Sequence, residues 1–270
     1  MQLHTQSQAL RRARFRSKVA RRPLVWFRHR GLNAYDCFLA SYPRSGSTWL
    51  RFLLYETLGG ESAEFGSMRR AVPSVGKQMG ARSVLENGGR VIQTHERFAP
   101  GSRRVVYVVR DARSVALSEY SWQRRMGIET SSFDDFLKAF LRGRSNPWGS
   151  WGAHVEFWLA TDSAKTNRLL LVKYEDLRRD TEGVFRQVLQ FLGVEARDEV
   201  VKDAIANNSL EAMRSKEDKA RQEGWRPTAR SDIRFINTGT VTGWREKLTT
   251  EQAKSIERHF ARPLSELGYL

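Results

Sequence analysis

A single cysteine, Cys37, in 270 residues excludes an internal disulfide framework and fits a reducing, cytoplasmic compartment. Long apolar runs are missing too. No stretch of about 18 apolar residues occurs, so no membrane-spanning helix is expected, and an anchored enzyme would need one. Internal repeats are absent. The five histidines form no tight cluster with Asp or Glu, which gives no support to a metal site. Acidic residues are missing from residues 1–35. That stretch holds nine cations: Arg11, Arg12, Arg14, Arg16, Lys18, Arg21, Arg22, Arg28 and Arg30.

Those nine account for more than half of a net charge of +16. The chain therefore divides into a basic N-terminal arm, 1–35, and a domain, 36–270. The arm interleaves its cations with Phe15, Val19, Leu24, Val25, Trp26 and Phe27. Such a segment can lie on an anionic membrane surface, so peripheral membrane contact is one expectation. It can also grip an acidic partner, serve as an Arg-rich targeting segment, or stand as a solvated, partly helical extension. Its apolar piece is too short for a signal peptide. Charge concentrated on an arm rather than on a folded face argues against a groove reader, so no nucleic-acid partner is expected.

With 40% hydrophobic residues the remainder can bury a core. Residues 37–41 (CFLAS), 90–95 (RVIQTH), 103–111 (RRVVYVVRD) and the start of 168–177 (RLLLVKYEDL) read as short buried strands. Between and after them, helical patterns cover 48–58, 112–125, 133–142, 148–159, 184–192 and 200–207. One helix is expected near 67–79, a long polar loop over 214–243, and a closing helix over 249–267. Strands alternating with helices imply a single α/β domain with a central parallel sheet and helices on both faces.

Between the first strand and its helix lies Tyr42-Pro43-Arg44-Ser45-Gly46-Ser47-Thr48. The unpaired amides of a helix start favour an anion there. Against the Walker pattern, Ser41 replaces the first glycine and Ser47 the lysine, while the cation sits at Arg44. The core is thus P-loop-like, without the lysine that reaches a nucleoside triphosphate. Arg110 ends the third strand on the same sheet edge, and Ser118 follows about two helical turns later. Together they suit a second phosphate. Alternatively Arg110 pairs with Glu119 or another acid at the edge and Ser118 is a surface helix residue, or Asp111 serves as a Walker B carboxylate on magnesium.

YPRSGSTW (42–49), QTH (93–95), VVYVVRDARSVALSEY (105–120), VKYEDL (172–177) and GTVTGW (239–244) resemble, in order and spacing, the sulfotransferases that use 3′-phosphoadenosine 5′-phosphosulfate. The resemblance is to the cytosolic and bacterial branch and spans roughly residues 37–260. It implies sulfonate transfer to an acceptor hydroxyl, with that nucleotide as donor and no metal. Arg44, Ser45, Gly46, Ser47 and Thr48 would hold the 5′-phosphosulfate, and Trp49 would stack on adenine, which Tyr174 would also reach. Arg110 and Ser118 would bind the 3′-phosphate, and the 237–243 stretch, which includes Gly239, would complete that pocket. NSLEAM (208–213) would close over the purine, with Leu210 where an aromatic is common.

His95, at the end of the second strand, would take the acceptor's proton, with Glu96 in reserve. Arg44 would stabilise the leaving phosphate. Three departures stand out. Gln93 replaces a family lysine. Asn237-Thr238 replaces an Arg-Lys pair, for which Arg226, Arg230 or Arg234 could substitute. The vertebrate C-terminal dimer motif is not reproduced near Thr249–Lys254. The acceptor is expected to be a small molecule, glycan or lipid, in a pocket shaped by 60–89, 121–150 and 214–236. The aromatics Trp122, Phe133, Trp148 and Trp225 belong to those segments, and Trp151 follows the second directly. The alternatives are a P-loop small-molecule kinase and an anionic-surface binding protein run by the arm.

Overall fold

Four short apolar runs make one parallel sheet in the computed structural model, which describes residues 21–59, 62–68, 70–224, 230, 232–236 and 239–270. They are β1 (Cys37–Ser41), β2 (Val91–Thr94), β3 (Val105–Val109) and β4 (Leu169–Lys173), in the order β2-β1-β3-β4. β1, β2 and β3 are buried along their whole length, as expected of parallel strands covered on both faces. Register pairs Ala40 with Thr94, Ser41 with Val108, and Val109 with Lys173. The next residues along each strand, Tyr42, His95, Arg110 and Tyr174, therefore leave the sheet at one edge. That edge is where ligands collect in such folds.

The helices are α1 (Arg21–Arg28), α2 (Ser47–Gly59), α3 (Ala112–Arg125), α4 (Phe133–Leu141), α5 (Trp151–Leu159), α6 (Asp162–Lys165), α7 (Tyr174–Arg179), α8 (Thr181–Leu192), α9 (Asp198–Asn207), α10 (Leu210–Gln222), α11 (Trp244–Lys247), α12 (Thr250–His259) and α13 (Ala261–Glu266). Alternation along the strands splits the core in two. Leu39, Val106 and Val108 pack with Leu50 and Leu53 of α2 and Phe185 and Leu189 of α8. Phe38, Ala40, Val105, Tyr107 and Val109 pack with α3, α4 and α5 through Val115, Phe136 and Trp158. The expected sheet with helices on both faces is what forms.

Four expectations are corrected. No helix forms over 67–79 among the described residues. Pro73 and Gly76 (φ 91°) break it, and the chain instead lies against β2, with Val75 N–H donating to Gln93 O and Gln93 N–H to Pro73 O, both at 2.8 Å. The polar loop expected from 214 starts later, because α10 runs to Gln222 under a Ser209 cap. The closing helix is two, α12 and α13, parted at Phe260, with Pro263 in the first turn of the second. The expected 148–159 helix starts at Trp151, where Ser150 caps it.

Of the arm, the half from Arg21 onward is fastened to the domain. Gln78 donates to the carbonyls of Arg28 and Arg30 at 2.7 Å each, and Arg90 donates to that of Gly31 at 2.6 Å. Residues 1–20 lie outside the described residues.

Candidate active site

The loop after β1 turns back on itself, with Ser45 N–H donating to Tyr42 O at 3.3 Å. Arg44 takes a left-handed φ of 69° and Gly46 one of 96°. Glycine is required at 46, because a Cβ there would lie 2.3 Å from the Tyr174 ring. α2 then begins at Ser47, whose hydroxyl accepts from Ser41 Oγ at 2.9 Å. The amides of a helix start thus stand at the carboxyl edge of the sheet.

A cavity of about 610 Å³ opens on this edge. Arg44, Gly46, Ser47, Thr48, Trp49, His95, Arg110, Ser118, Tyr174 and Gly239 all line it. Ser45 is fully buried off its wall, with a hydroxyl that has no hydrogen-bond partner. Trp49 and Tyr174 meet edge to face at 6.3 Å. The Trp49 indole N–H donates to Asn208 O at 2.8 Å, which ties the loop's helix to the end of α9. Arg110 lies 4.4 Å over Tyr174 and reaches the Thr240 carbonyl at 3.4 Å, while its buried Nε has no partner.

Arg44 and Ser118, expected on opposite ends of a nucleotide, are brought together. Arg44 Nε donates to Ser118 Oγ at 3.2 Å and Nη2 to Phe235 O at 3.3 Å. Both alternatives for the third strand fail. Asp111 is held by Arg113 at 2.7 Å and caps α3, so it does not stand as a metal carboxylate. Glu119 is buried and accepts from Gln123, Ser145 and Asn146 at 2.7–3.0 Å rather than from Arg110. Burial pushes the Glu119 carboxyl above the usual range. Arg230 and Arg234, suggested replacements for the missing cations, pair with Asp232 and Asp218 on the surface. Arg226, Asn237 and Thr238 lie outside the described residues.

His95 is held by its ring. Nδ1 donates to Ser41 O at 2.7 Å, which leaves Nε2 as the acceptor. The Gln93 side-chain nitrogen lies 3.0 Å from that Nε2 and donates to it. Desolvation by burial brings the His95 pKa down to about 4, and Arg51, Arg44 and Arg28 push it the same way, against the Ser41 hydrogen bond. The imidazole is therefore neutral at pH 7, with a lone pair on Nε2. Glu96, the reserve base, pairs with Arg28 at 3.1 Å and is almost wholly buried.

Sequence reasoning missed the groups behind His95. His154 Nε2 donates to the His95 carbonyl at 3.2 Å, and its Nδ1 accepts from the Tyr107 hydroxyl at 2.9 Å. The signal was available: His154 lies at helical spacing from Trp151 and Trp158, on the buried face of α5. Trp148 stands edge-on to His95 at 5.4 Å. Its loop is fixed by Asn146, whose side chain accepts from Trp148 N–H and donates to Tyr42 Oη at 2.6 Å. Of the expected acceptor aromatics, Trp122 and Trp148 line the cavity, Phe133 does not, Trp151 is buried in the core, and Trp225 lies outside the described residues. Phe65, Met68 and Val75 complete the apolar wall beside Arg28. Among the described residues, no three His, Cys, Asp or Glu side chains gather closely enough to hold a metal ion.

A P-loop-like turn, two cationic centres and a neutral histidine on one sheet edge define a nucleotide-dependent group transferase. The family profile described as "Sulfotransferase domain" matches residues 34–268, and the chain belongs to that family, in agreement with the resemblance to the 3′-phosphoadenosine 5′-phosphosulfate enzymes. It is a sulfotransferase that moves a sulfonate group from that donor to an acceptor, rather than a kinase. Sulfotransferase 1 family member D1 of Rattus norvegicus is 25% identical over 251 residues, covering 86% of this chain and 84% of the relative. Sulfotransferase 1A1 of Bos taurus is 26% identical over 251 residues, covering 85% and 83%. Retinol dehydratase in complex with retinol and PAP superposes with a TM-score of 0.71 at 20% identity, over 90% of this chain and 86% of that one. Mouse sulfotransferase SULT7A1 complexed with PAP gives 0.66 at 22%, over 87% and 86%. At those identities the two structures show a shared fold.

Proposed function

We propose that His95 is the general base, that the 42–48 loop holds the donor's 5′-phosphosulfate, and that Arg110, Ser118 and the 239–240 strap hold its 3′-phosphate. Two features support a fit to the donor. The Tyr174 ring fills the space a side chain at Gly46 would need, so backbone amides alone line that approach. Arg110 also carries a buried N–H without a partner on the cavity wall.

The donor supplies the sulfonate group and a bisphosphate leaving group. The chain's own work is to orient, to accept a proton and to offset charge. His95 Nε2 takes the proton of the acceptor hydroxyl once the Gln93 amide gives up that nitrogen. Gln93 is then free to donate to an oxygen of the transferring group, the position a family lysine would serve. Arg44 and the amides of residues 45–48 offset charge on the leaving phosphate. To do so Arg44 exchanges its contact with Ser118, which becomes free for the 3′-phosphate. The observation that carries this reading is the fixed tautomer of His95 on the same edge as the loop.

The acceptor we infer is a small molecule with a flat or apolar body and one hydroxyl. Phe65, Met68, Trp122 and Trp148 offer it ring faces and aliphatic surface near His95. Retinol dehydratase, which shares the fold, forms complexes with retinol and with androsterone. Labelled donor with a panel of phenols, apolar alcohols, glycans and lipids tests the assignment. Transfer to phenols and apolar alcohols is the expected result, and transfer to glycans alone would reject the acceptor class.

A second reading concerns place. The outward face of α1 is apolar: Leu24, Trp26 and Phe27 are each at least half exposed, and Arg30 lies over both aromatic rings at 4.8 and 5.4 Å. Its inward face carries Arg28, which lines the cavity, and buried His29. With the sequence's seven cations over 11–22, this supports a cytoplasmic enzyme that touches an anionic bilayer beside its acceptor cavity. Flotation with vesicles tests it: binding to anionic but not zwitterionic lipid, lost in Trp26→Ser/Phe27→Ser, is expected. Equal flotation by that variant would reject it.

A further inference from the structure

We infer that Arg178 is the cation that replaces the absent Arg-Lys pair and holds the donor's 3′-phosphate from the side opposite Arg110; the inference rests on the reading that this cavity holds a 3′-phosphorylated nucleotide. Arg178 is the fifth residue of α7, which begins at Tyr174 where β4 leaves the sheet. The short helix carries two adjacent arginines with different surroundings. Arg179 is exposed and pairs with Asp176 at 2.6 Å. Arg178 is half-buried on the cavity wall, with its guanidinium carbon 5.1 Å from the Trp49 ring centroid. Among the described residues no carboxylate lies within ion-pair distance of it.

Its position relative to the strap is specific. Arg178 Nη2 comes within 3.5 Å of where a Cβ on Gly239 would sit, and Arg110 Nη2 reaches the carbonyl of the next residue, Thr240. Two guanidiniums therefore border residues 239–240. Between them runs an unbroken row of rings, Arg178 over Trp49, Trp49 against Tyr174, and Tyr174 under Arg110. A nucleotide base beside Trp49 would thus have a cation at each end of its ribose-phosphate edge. Gly239 takes φ 69° and carries no side chain that could intervene. Lys247 also lines the cavity, but it is exposed on α11. Guanidinium suits this task because its planar donors match phosphate oxygens two at a time.

The test is calorimetric titration with adenosine 3′,5′-bisphosphate and with adenosine 5′-phosphate. Arg178→Ala is expected to weaken the bisphosphate ~10- to 100-fold and the 5′-phosphate less than ~3-fold, as for loss of one charge-assisted hydrogen bond. Arg178→Lys should recover part of the loss. Arg179→Ala should change neither. Arg110→Ala serves as the reference for a 3′-phosphate contact and should show the same selectivity. Equal losses for both ligands in Arg178→Ala would overturn the proposal, leaving the residue a stacking partner of Trp49. No loss at all, beside a selective loss in Arg110→Ala, would overturn it while sparing the site. A wild type that does not distinguish the two ligands would reject the bisphosphate site and this proposal with it.

Discussion

In the proposed mechanism, one hydrogen bond at His95 sets which nitrogen can act. The Ser41 carbonyl takes the Nδ1 proton, so the basic lone pair can only be on Nε2. Burial and three guanidiniums lower the pKa to about 4, so the neutral imidazole persists well below the usual histidine range. The acid limb of kcat/KM, which reports the free enzyme, should therefore fall near pH 4. A limb near pH 6.5 would mean that the group is solvated or is not the base. The same depression has a sign for stability. Between roughly pH 6.5 and 4 the unfolded chain takes up a proton that folded His95 refuses, so the fold weakens as pH falls through that window. His154, lowered to about 3 by burial and by His95, adds in the same direction. The convergence of the loop residues, His95, Arg110 and Ser118 on one cavity was legible because the motifs lie in consecutive sequence. His154, Asn146 and Tyr107 were not, because their roles exist only once α5 and the 145–150 loop pack behind β2.

Among the elements, the buried strands were the most legible. Runs such as VVYVV have a single use in a sheet covered on both sides. α10 was the least legible, and the reason is physical. Its inward face, Met213, Glu217 and Ala220, includes a carboxylate, so an apolar period is missing. Glu217 is buried against Arg125 at 2.5 Å and also accepts from the N–H groups of Phe235 and Ile236 at 2.7 and 2.8 Å. One side chain thus fastens α10, α3 and the segment that carries Arg44's carbonyl partner. Glu217→Ala removes the carboxylate of a buried ion pair with Arg125, and breaking such a pair costs about 3–5 kcal/mol. The midpoint of thermal unfolding should drop by on the order of 10 °C. An unchanged midpoint would show that the pair contributes nothing. The helix expected near 67–79 fails for the opposite reason, since backbone pairing with Gln93 outcompetes a weak helical pattern broken by Pro73 and Gly76.

For the whole molecule, the sheet order β2-β1-β3-β4 puts His95, the proposed base, the 42–48 loop and Arg110 on three neighbouring strands. A parallel sheet gathers them at one edge without any further device. The apolar outer face of α1 and the basic stretch before it sit apart from that chemistry, except for Arg28, which joins the two. The account stands or falls on the separation of proton transfer from nucleotide binding. Turnover of labelled donor by His95→Ala, measured beside calorimetry with adenosine 3′,5′-bisphosphate, tests that separation most directly. Transfer should fall ~100-fold or more while the dissociation constant moves less than ~3-fold; turnover like that of the wild type would contradict the account.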